Sequence, residues 1–404
     1  MADADTIVLE LVATPEGRAD PYSRYACLRA QAPVHRSAIG FWVLTRYEDC
    51  QRVLRDPHVS KDFSGATRAL GLSDEQQAEQ AAFRDDHSNM LFADPPDHTR
   101  LRALATRAFT ARTVEALRGR IVALVDELID GFGTGEVDLM DALAFPLPVT
   151  VIGEMLGVPA EDRAQFRPLV RASTAVLELA VTPEALAAAT AARATMEDYF
   201  AALVTERRAH PRDDLLTQLI EAEDKGDQLS GRELISTAIL LFAAGFETTT
   251  HLIGNSVLAL LRHPDQLARI RNDRGLVRSG VEELMRYDSP VQVNARTATD
   301  DIDIGGHRIE TGATMLVLLG AANRDPERFD DPDRLDVGRA DGASISFGSG
   351  IHYCLGAALA RLEAQVVLDR LLERFDTWEL VGGPPEHRDS LTLRGLKDLR
   401  VRFT

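Results

Sequence analysis

Cysteine is scarce in this sequence, and so are long apolar runs. The 404 residues include three cysteines, Cys27, Cys50 and Cys354, which are odd in number and far apart. This usage is typical of a reducing compartment and argues against a disulfide-linked secreted scaffold. The longest nearly apolar stretch, residues 234–246, is too short to cross a bilayer. Because residues 1–20 contain no basic stretch ahead of an apolar segment, we expect no signal peptide, no membrane anchor and a cytoplasmic protein.

Positive charge and linker sequence are also scarce. Lysine and arginine together number 45 against 63 acids, so the formal net charge is −18. Because phosphate binding needs a basic face, this balance argues against nucleic acid as a partner. No stretch rich in proline, glycine or serine divides the chain, and no repeat is present. With 45% hydrophobic residues the chain has ample core, and we expect a single domain over residues 1–404.

The periodicity of apolar residues predicts a mainly helical α+β protein with small β-sheets. Ser230 and Glu233 form a capping box, which opens a long helix that Pro264 prevents from continuing. The predicted helices are 47–55, 99–109, 111–131, 148–156, 161–179, 183–209, 213–222, 231–262, 264–272, 277–287 and 355–375. The predicted strands are 34–36, 41–44, 291–298, 302–304, 315–319, 378–380, 392–393 and 400–403.

One cysteine follows a glycine-punctuated turn and precedes an apolar helical run. Residues 347–356 read Phe-Gly-Ser-Gly-Ile-His-Tyr-Cys-Leu-Gly. Gly348 and Gly350 let the backbone take positive φ and approach a flat partner closely. Free N–H groups at a helix amino terminus stabilise a thiolate, so we expect Cys354 to have a lowered pKa and to suit iron as an axial ligand. An isolated cysteine is more often a buried structural residue, and it is the surrounding pattern that favours the ligand.

The middle of the long helix is poorly suited to helix stability. Residues 243–250 read Ala-Ala-Gly-Phe-Glu-Thr-Thr-Thr, in which glycine costs about 1 kcal/mol relative to alanine and the threonines propagate a helix weakly. One interpretation is a kink in which the hydroxyls bond to carbonyls one turn earlier. The other is a groove over a cofactor, where Ala244 and Gly245 leave room for a diatomic ligand. In that groove Thr248 donates a hydrogen bond and Glu247 feeds protons from solvent.

Together these segments resemble the signatures of the cytochrome P-450 (heme-thiolate monooxygenase) superfamily. Residues 347–356 match Phe-Gly-x-Gly-x-His-x-Cys-Leu-Gly at every defined position, and residues 244–248 match (Ala/Gly)-Gly-x-(Asp/Glu)-Thr. The resemblance runs from residue 42 to residue 397 and is closest to soluble actinobacterial enzymes. It implies the P-450 fold, with the long helix over a heme b cofactor whose iron is bound by Cys354. It also implies that Thr248 and Glu247 are catalytic in O₂ activation.

The resemblance assigns further residues around the heme. It implies that Glu283 and Arg286 form a buried structural pair, completed by Arg334 or Arg339 of the segment before the cysteine loop. The two heme propionates need cationic or hydrogen-bonding partners. The residues implied in cofactor binding are His98, Arg102, Ala244, Arg296, Phe347, Gly348, His352, Cys354 and Gly356. The implied substrate pocket comprises Asn89, Met90, Leu91, Ala243, Val291, Asn294, Thr392 and Leu393.

The implied reaction is hydroxylation or epoxidation of a hydrophobic small molecule, such as a polyketide or macrolide-like natural product, because the implied pocket is mostly apolar. Since no flavin or nicotinamide domain fits in the chain, the resemblance implies that two electrons come from a ferredoxin and a ferredoxin reductase in trans. The expected docking patch consists of Arg100, Arg107, Arg112 and Arg361.

Two alternatives compete with this interpretation. The first is a peroxide-driven or otherwise atypical heme-thiolate enzyme that performs coupling or desaturation. The second is a heme-thiolate sensor without turnover. The presence of both Glu247 and Thr248 favours the O₂ route over obligate peroxide use, because those residues serve that route. A sensor would need no proton relay and would normally carry an output domain, for which the sequence shows no segment.

Overall fold

Helices make up most of the described structure. The computed structural model describes residues 2–61, 78, 89–179, 181–224, 229–340 and 343–404. Its helices are Ala4–Ala13, Pro15–Ala19, Pro21–Gln31, Tyr47–Arg55, Asp97–Thr106, Ala111–Ala116, Arg118–Phe132, Pro146–Leu156, Phe166–Ser173, Pro183–Ala209, Leu215–Asp224, Gly231–Arg262, Pro264–Asn272, Val277–Tyr287, Leu319–Ala322 and Ala357–Arg374. Shorter 3₁₀ segments are Arg107–Phe109, Ala160–Gln165, Thr174–Leu177, Arg274–Leu276 and Gly350–His352, and Met140–Ala144 is π-helical. Within the described ranges, no helix combines the length and apolarity that crossing a bilayer requires.

The described strands form sheets of five, three and two strands. They are β1 Val34–Arg36, β2 Trp42–Leu44, β3 Val59–Ser60, β4 Gly135–Asp138, β5 Val293–Ala298, β6 Ile302–Ile304, β7 His307–Ile309, β8 Thr314–Leu318, β9 Trp378–Leu380 and β10 Arg400–Phe403. The largest sheet has the order β1-β2-β8-β5-β3, in which β2 and β8 are parallel. The second has the order β4-β10-β9, and β6 and β7 form a hairpin. The predicted class, helices with small sheets, is confirmed.

The helix Gly231–Arg262, called the central helix below, joins two hydrophobic cores. Its capping box is present: the Ser230 hydroxyl accepts from the Glu233 N–H at 3.2 Å, and the Glu233 carboxylate accepts from the Ser230 N–H at 2.8 Å. The amino-terminal half packs in a core that includes Phe242 and Phe246. The carboxyl-terminal half packs in a second core, which the helix Ala357–Arg374 shares. Residues 243–250 therefore lie where the two cores meet.

Proline explains the largest error in the predicted helices. The sequence predicts one helix over 161–179, but the structure has a 3₁₀ segment, then Phe166–Ser173, then a second 3₁₀ segment. Pro168 cannot donate a hydrogen bond to a preceding turn, so it fits only in the first turn of the α-helix. Phe166 is the first residue of that turn. The residues before it, Ala160–Gln165, form a 3₁₀ helix instead.

Local hydrogen bonds move other predicted boundaries. The predicted helix 111–131 is broken at Leu117, whose N–H donates to Val114 in a tight turn at 3.0 Å. The predicted helix 213–222 starts at Leu215, because the Asp214 carboxylate caps it by accepting from the Thr217 N–H at 2.8 Å. The predicted strand 392–393 is a single bridge between Leu393 and Val291, which lies outside β5.

Candidate functional site

The cysteine loop, residues 347–356, is shaped by two glycines with positive φ. Gly348 has φ of 74° and Gly350 has φ of 69°, conformations that other residues rarely adopt. A Cβ atom at Gly350 would also lie 2.3 Å from the Leu54 carbonyl oxygen. The loop closes through the Cys354 N–H, which donates to Phe347 at 2.9 Å. Cys354 is thereby fixed just before the helix Ala357–Arg374, with its side chain exposed.

The thiol of Cys354 differs electrostatically from the expectation. Although the side chain is accessible, the surrounding protein desolvates the sulfur and raises the pKa of the Cys354 thiol. The Gly356 N–H, Arg102 and Arg361 act in the opposite direction and do not overcome this effect. The predicted lowered pKa is therefore wrong for the protein alone. A bound metal ion deprotonates a coordinating thiol outright, so ligation of iron does not depend on the helix terminus.

Four of the predicted cofactor-binding side chains lie together beside this loop. The rings of His98 and His352 are 4.3 Å apart between centroids. Arg296 is buried at 2% exposure, and its Nη1 donates to Asn294 at 2.5 Å. Arg102 donates to the Tyr353 carbonyl oxygen at 2.6 Å, next to Cys354. We call His98, Arg102, Arg296 and His352 the basic cluster.

The basic cluster has an excess of positive charge, which suits a bound dianion. Desolvation and then the neighbouring cations, Arg296 foremost, lower the pKa of His352 to about 2. Desolvation lowers the pKa of Arg296 to about 10. Among the described residues, Asp94 is the carboxylate that opposes these shifts at Arg296 and His98. The buried Nε2 atom of His98 also has no hydrogen-bond partner there. These groups fit the two carboxylates of heme b, with Cys354 at hand as the iron ligand.

Residues 243–250 of the central helix have one accessible side. Ala244 is exposed and Thr248, one turn later, is partly exposed, although they lie in the middle of a mostly buried helix. Gly245 serves a different purpose from the one predicted. A Cβ atom there would lie 2.7 Å from Ile152 of the helix Pro146–Leu156, so this glycine allows two helices to pack closely. Room for a small ligand therefore falls to Ala244.

The threonines of the central helix bond to their own helix. The Thr248 hydroxyl donates to the Ala244 carbonyl at 3.1 Å, and the Thr249 hydroxyl donates to the Gly245 carbonyl at 3.4 Å. This is the pattern of the first interpretation, in which hydroxyls bond one turn back. It is compatible with the second, since Thr248 lies on the exposed face and Thr249 is buried.

Glu247 is buried and ion-paired rather than directed to solvent. Its carboxylate accepts from Arg388, of the segment before β10, and lies 3.4 Å from Nε2 of His251. Desolvation alone would raise the pKa of Glu247, but His251 and Arg388 together lower it to about 2. The sequence interpretation missed both partners. His251 could have been found, because it lies four residues further along the same helix.

The predicted pocket residues turn most of their polar atoms toward the protein. The Asn89 amide oxygen accepts from the Leu91 N–H at 3.0 Å, and the Thr392 hydroxyl donates to the Leu177 carbonyl at 2.9 Å. The Asn294 amide oxygen accepts from Arg296, so Asn294 belongs beside the basic cluster. The apolar members are buried or partly buried, namely Met90, Leu91, Ala243, Val291 and Leu393.

The Glu283–Arg286 pair is buried and is completed by Arg339. Arg286 donates to both carboxylate oxygens of Glu283, at 2.7 and 2.9 Å, and both side chains are at most 1% exposed. Arg339 donates to the same carboxylate at 3.0 Å. Arg334, the other candidate, is 57% exposed and pairs with Asp331. The geometry therefore favours a structural network that ties the helix Val277–Tyr287 to the segment before the cysteine loop.

The arginines expected to dock a redox partner are not equally available. Arg100 is bound to Asp97 and Glu233, and Arg361 is bound to Glu282 at 2.5 Å. Arg107 and Arg112 are exposed. A positive face on this side would depend chiefly on these two residues.

Comparisons with known proteins agree with this geometry. The family model described as Cytochrome P450 matches residues 39–397. A relative named Cytochrome P450 107B1, from Saccharopolyspora erythraea, is 46% identical over 392 residues, which are 95% of each chain. The Polyketide biosynthesis cytochrome P450 PksS, from Bacillus subtilis, is 38% identical, covering 95% of this chain and 96% of that one. The ligand-free structure of Mycobacterium smegmatis CYP164A2 aligns with a TM-score of 0.89 at 42% identity, covering 98% of this chain and 100% of that one.

Proposed function

The chain belongs to the cytochrome P450 family and is a P450 monooxygenase, and from this premise we propose that it inserts one atom of O₂ into a hydrophobic natural product of the polyketide or macrolide type. The observation that carries the proposal is the convergence of Cys354 with the basic cluster. This convergence places a buried cation and an unpartnered nitrogen at one place, which is costly unless a ligand compensates for them.

In this proposal the side chains hold heme b and control protons around it. Bound heme b supplies the activation of O₂, with thiolate donation from Cys354 favouring O–O cleavage. The basic cluster would neutralise the carboxylates of the bound cofactor beside the cysteine loop. Ala244 would leave space for a small ligand because its side chain is a single methyl group, and Phe347, Gly348 and Gly356 would contact the cofactor from the cysteine loop.

Thr248 and Glu247 have different parts in proton control. The Thr248 hydroxyl holds a proton at the exposed face of the central helix, where it rests on the Ala244 carbonyl. Glu247 is ionised at neutral pH because Arg388 and His251 lower its pKa to about 2. The Glu247 carboxylate can receive a proton only when its ion pair with Arg388 weakens. We therefore assign to Glu247 the supply of protons and to Thr248 their delivery.

The substrate class follows from the lining and from one relative. The amide oxygens of Asn89 and Asn294 and the hydroxyl of Thr392 are engaged within the protein, and the other predicted lining residues are apolar. The PksS relative is named for polyketide biosynthesis. Both features support a medium to large hydrophobic substrate and a role in secondary metabolism.

Electrons are proposed to arrive from a ferredoxin and its reductase. Arg107 and Arg112 are exposed and would attract an acidic partner by long-range electrostatics. The three cysteines are free thiols, which suits a reducing cytoplasm.

Turnover with a surrogate ferredoxin and reductase tests the proposal. A library of polyketides and macrolides is first screened for compounds that shift the heme spin state. Each compound that binds is then incubated with NADPH, O₂ and the surrogate partners, with hydrogen peroxide alone as the matched condition. We expect hydroxylated or epoxidised product that requires NADPH and O₂. Product formed with peroxide alone would support the atypical enzyme, and binding without product under either condition would support the sensor.

A further inference from the structure

We propose that His251 is the immediate proton donor to Glu247, and that a proton on His251 loosens the ion pair between Glu247 and Arg388. His251 lies on the central helix, four residues and so about one turn after Glu247. It acts on the reaction only through Glu247 and is therefore a positioning residue of the proton path. The proposal deepens the proposed function, because it rests on Glu247 as the supply of protons for Thr248.

Three side-chain atoms meet at the carboxylate of Glu247. Its Oε1 atom accepts from Nη1 of Arg388 and lies 3.4 Å from Nε2 of His251. The same Nη1 atom lies 3.5 Å from that Nε2 atom. Arg388 and His251 therefore face one carboxylate oxygen, and they repel each other when both are positively charged. A proton on His251 thus weakens the hold of Arg388 on Glu247, which is the condition for Glu247 to take up a proton.

The fold makes room for the His251 ring at Gly395. A Cβ atom at Gly395 would lie 1.9 Å from Nδ1 of His251, so a side chain there would exclude the ring from this position. The Gly395 carbonyl accepts from the Arg388 N–H at 2.8 Å, so one segment supplies both the space and the arginine. His251 is 1% exposed, and its Nδ1 atom has no hydrogen-bond partner among the described residues. Burial of a ring in this way is costly, and proton transfer gives a reason for it.

The neighbouring charged groups cannot replace His251 as the donor. Apart from Glu247, the charged or titratable groups that act on this site are Arg171, Arg262, Asp288, His387, Arg388 and Arg394. Desolvation and then Arg394 lower the pKa of His387 to about 4, so His387 is neutral at neutral pH. Although desolvation raises the pKa of Asp288, Arg394 and other partners lower it, so Asp288 is ionised. Arginines keep their protons. Histidine is the side-chain type that exchanges a proton near neutral pH, which leaves His251.

The step transfers one proton and no electrons. The Nε2–H bond of the protonated His251 ring breaks and an O–H bond forms at Glu247, which leaves a neutral ring and a neutral carboxyl group. Glu247 then passes the proton toward Thr248, and solvent returns a proton to His251. The Arg388 side chain is 24% exposed, so solvent adjoins the buried pair on that side.

A pH series on three variants tests the proposal. His251→Gln, Glu247→Gln and His35→Gln are compared as holoproteins, with the macrolide that gives the largest spin-state shift in the screen described above. His35 is the matched control, because it also pairs with a carboxylate, Asp5 at 2.8 Å, but lies on β1 at an edge of the largest sheet. The rate of NADPH oxidation with the surrogate partners is measured from about pH 6 to about pH 9. Each rate is divided by that of His35→Gln at the same pH, which cancels the effect of pH on the surrogate partners.

We expect the relative rate of His251→Gln to be about 10²-fold below the control at low pH, because a positioned proton donor is lost. It should approach the control as the pH rises, since the control then has a neutral His251 ring with no proton to give. Glu247→Gln should follow the same course, because the two residues act in series. For the same reason the double variant Glu247→Gln/His251→Gln should be no slower than Glu247→Gln.

Several results would overturn the proposal. If His251→Gln equals the control at every pH while Glu247→Gln is slow, Glu247 keeps its proposed function and His251 is not its donor. If both variants equal the control, the role of Glu247 fails and the proposal fails with it. A deficit of His251→Gln that is the same at every pH would make His251 a structural tie between Glu247 and Arg388.

Folding of the variants is checked by heme content. If His251→Gln yields no holoprotein, His251→Asn takes its place, because it carries the same amide on a shorter side chain. Loss of holoprotein in both variants would mark His251 as a structural residue and refute the proposal.

Discussion

Two adjacent residues of the central helix are held in very different ways. Thr248 is bonded to the Ala244 carbonyl of its own helix and is partly exposed. Glu247 is buried and tied to Arg388, which lies 141 residues away in the chain. Rotation of one hydroxyl is a small movement, whereas release of a buried carboxylate requires a second segment to move. The two side chains should therefore affect different steps of turnover.

Replacement of Thr248 by alanine should uncouple turnover. Heme content and substrate affinity should be unchanged, because the hydroxyl is assigned to neither. Product per NADPH should fall and hydrogen peroxide should rise, since loss of a positioned proton donor costs about 10²–10⁴-fold in the step that it serves. Thr249→Ala is the matched control, because its hydroxyl lies on the buried side of the same turn. Equal product per electron in Thr248→Ala and wild type would remove Thr248 from the proposed mechanism.

The ion pair of Glu247 should appear as a pH dependence of stability. Its pKa is lowered from 4.5 to about 2, so the stabilisation is complete above about pH 5 and is lost as the pH falls toward 2. Between pH 7 and pH 4 the free energy of unfolding should fall by about 1 kcal/mol through this group. Denaturant unfolding at the two pH values measures the change. Glu247→Gln and Arg388→Met should both reduce it, and an unaltered change in either variant would contradict the assignment.

What the sequence could predict at this scale depends on how far apart the interacting residues are. Cys354, His352 and Gly348 lie within one short segment, so their spacing alone identified the loop. Arg388 reaches the site from another part of the chain, and no local pattern marks it. The lowered thiol pKa was predicted wrongly because a helix terminus is visible in a sequence and desolvation is not.

At the scale of elements, helix boundaries are predicted most accurately where capping residues or a proline mark the end of the helix in the sequence. The start of the central helix was predicted to the residue because a capping box begins it, and its end was predicted near Arg262 because Pro264 prevents its continuation. The helix Ala4–Ala13 was missed, although the Asp3 side chain caps it by accepting from the Thr6 N–H at 2.8 Å. Its run of apolar residues is too short to distinguish a helix from a loop in the sequence. Only the structure shows that Ile7 and Leu11 are buried.

The buried network of Glu283 gives a prediction about elements. Removing Arg286 should cost about 3–5 kcal/mol and deplete folded holoprotein, because it leaves a buried carboxylate poorly compensated. Arg339→Ala should cost about 1–3 kcal/mol, since Arg286 and the Asp336 N–H still hold Glu283. Arg334→Ala, in the same segment, should cost little because Arg334 is exposed. Chemical denaturation of the three variants gives the order, and an Arg334 effect equal to that of Arg339 would refute the network.

At the scale of the whole molecule, the site lies where separately packed parts meet. The central helix joins two cores, the helix Ala357–Arg374 carries the cysteine loop, and β5 of the largest sheet supplies Arg296. The basic cluster has an excess of positive charge. We attribute this excess to a negatively charged cofactor that the polypeptide alone does not provide. Family membership explains that excess, since heme b is the cofactor of cytochrome P450 enzymes.

The reduced carbon-monoxide spectrum of cysteine variants tests this account most directly. Cys27, Cys50 and Cys354 are each replaced by serine, and the dithionite-reduced proteins are exposed to carbon monoxide. Wild type, Cys27→Ser and Cys50→Ser should show the red-shifted absorption of a thiolate-ligated complex, because neither residue belongs to the cysteine loop and the buried Cys50 thiol donates to the Leu44 carbonyl at 3.4 Å. Cys354→Ser should lose it. Retention of that absorption in Cys354→Ser, with loss in either other variant, would contradict the assignment of the heme iron to Cys354.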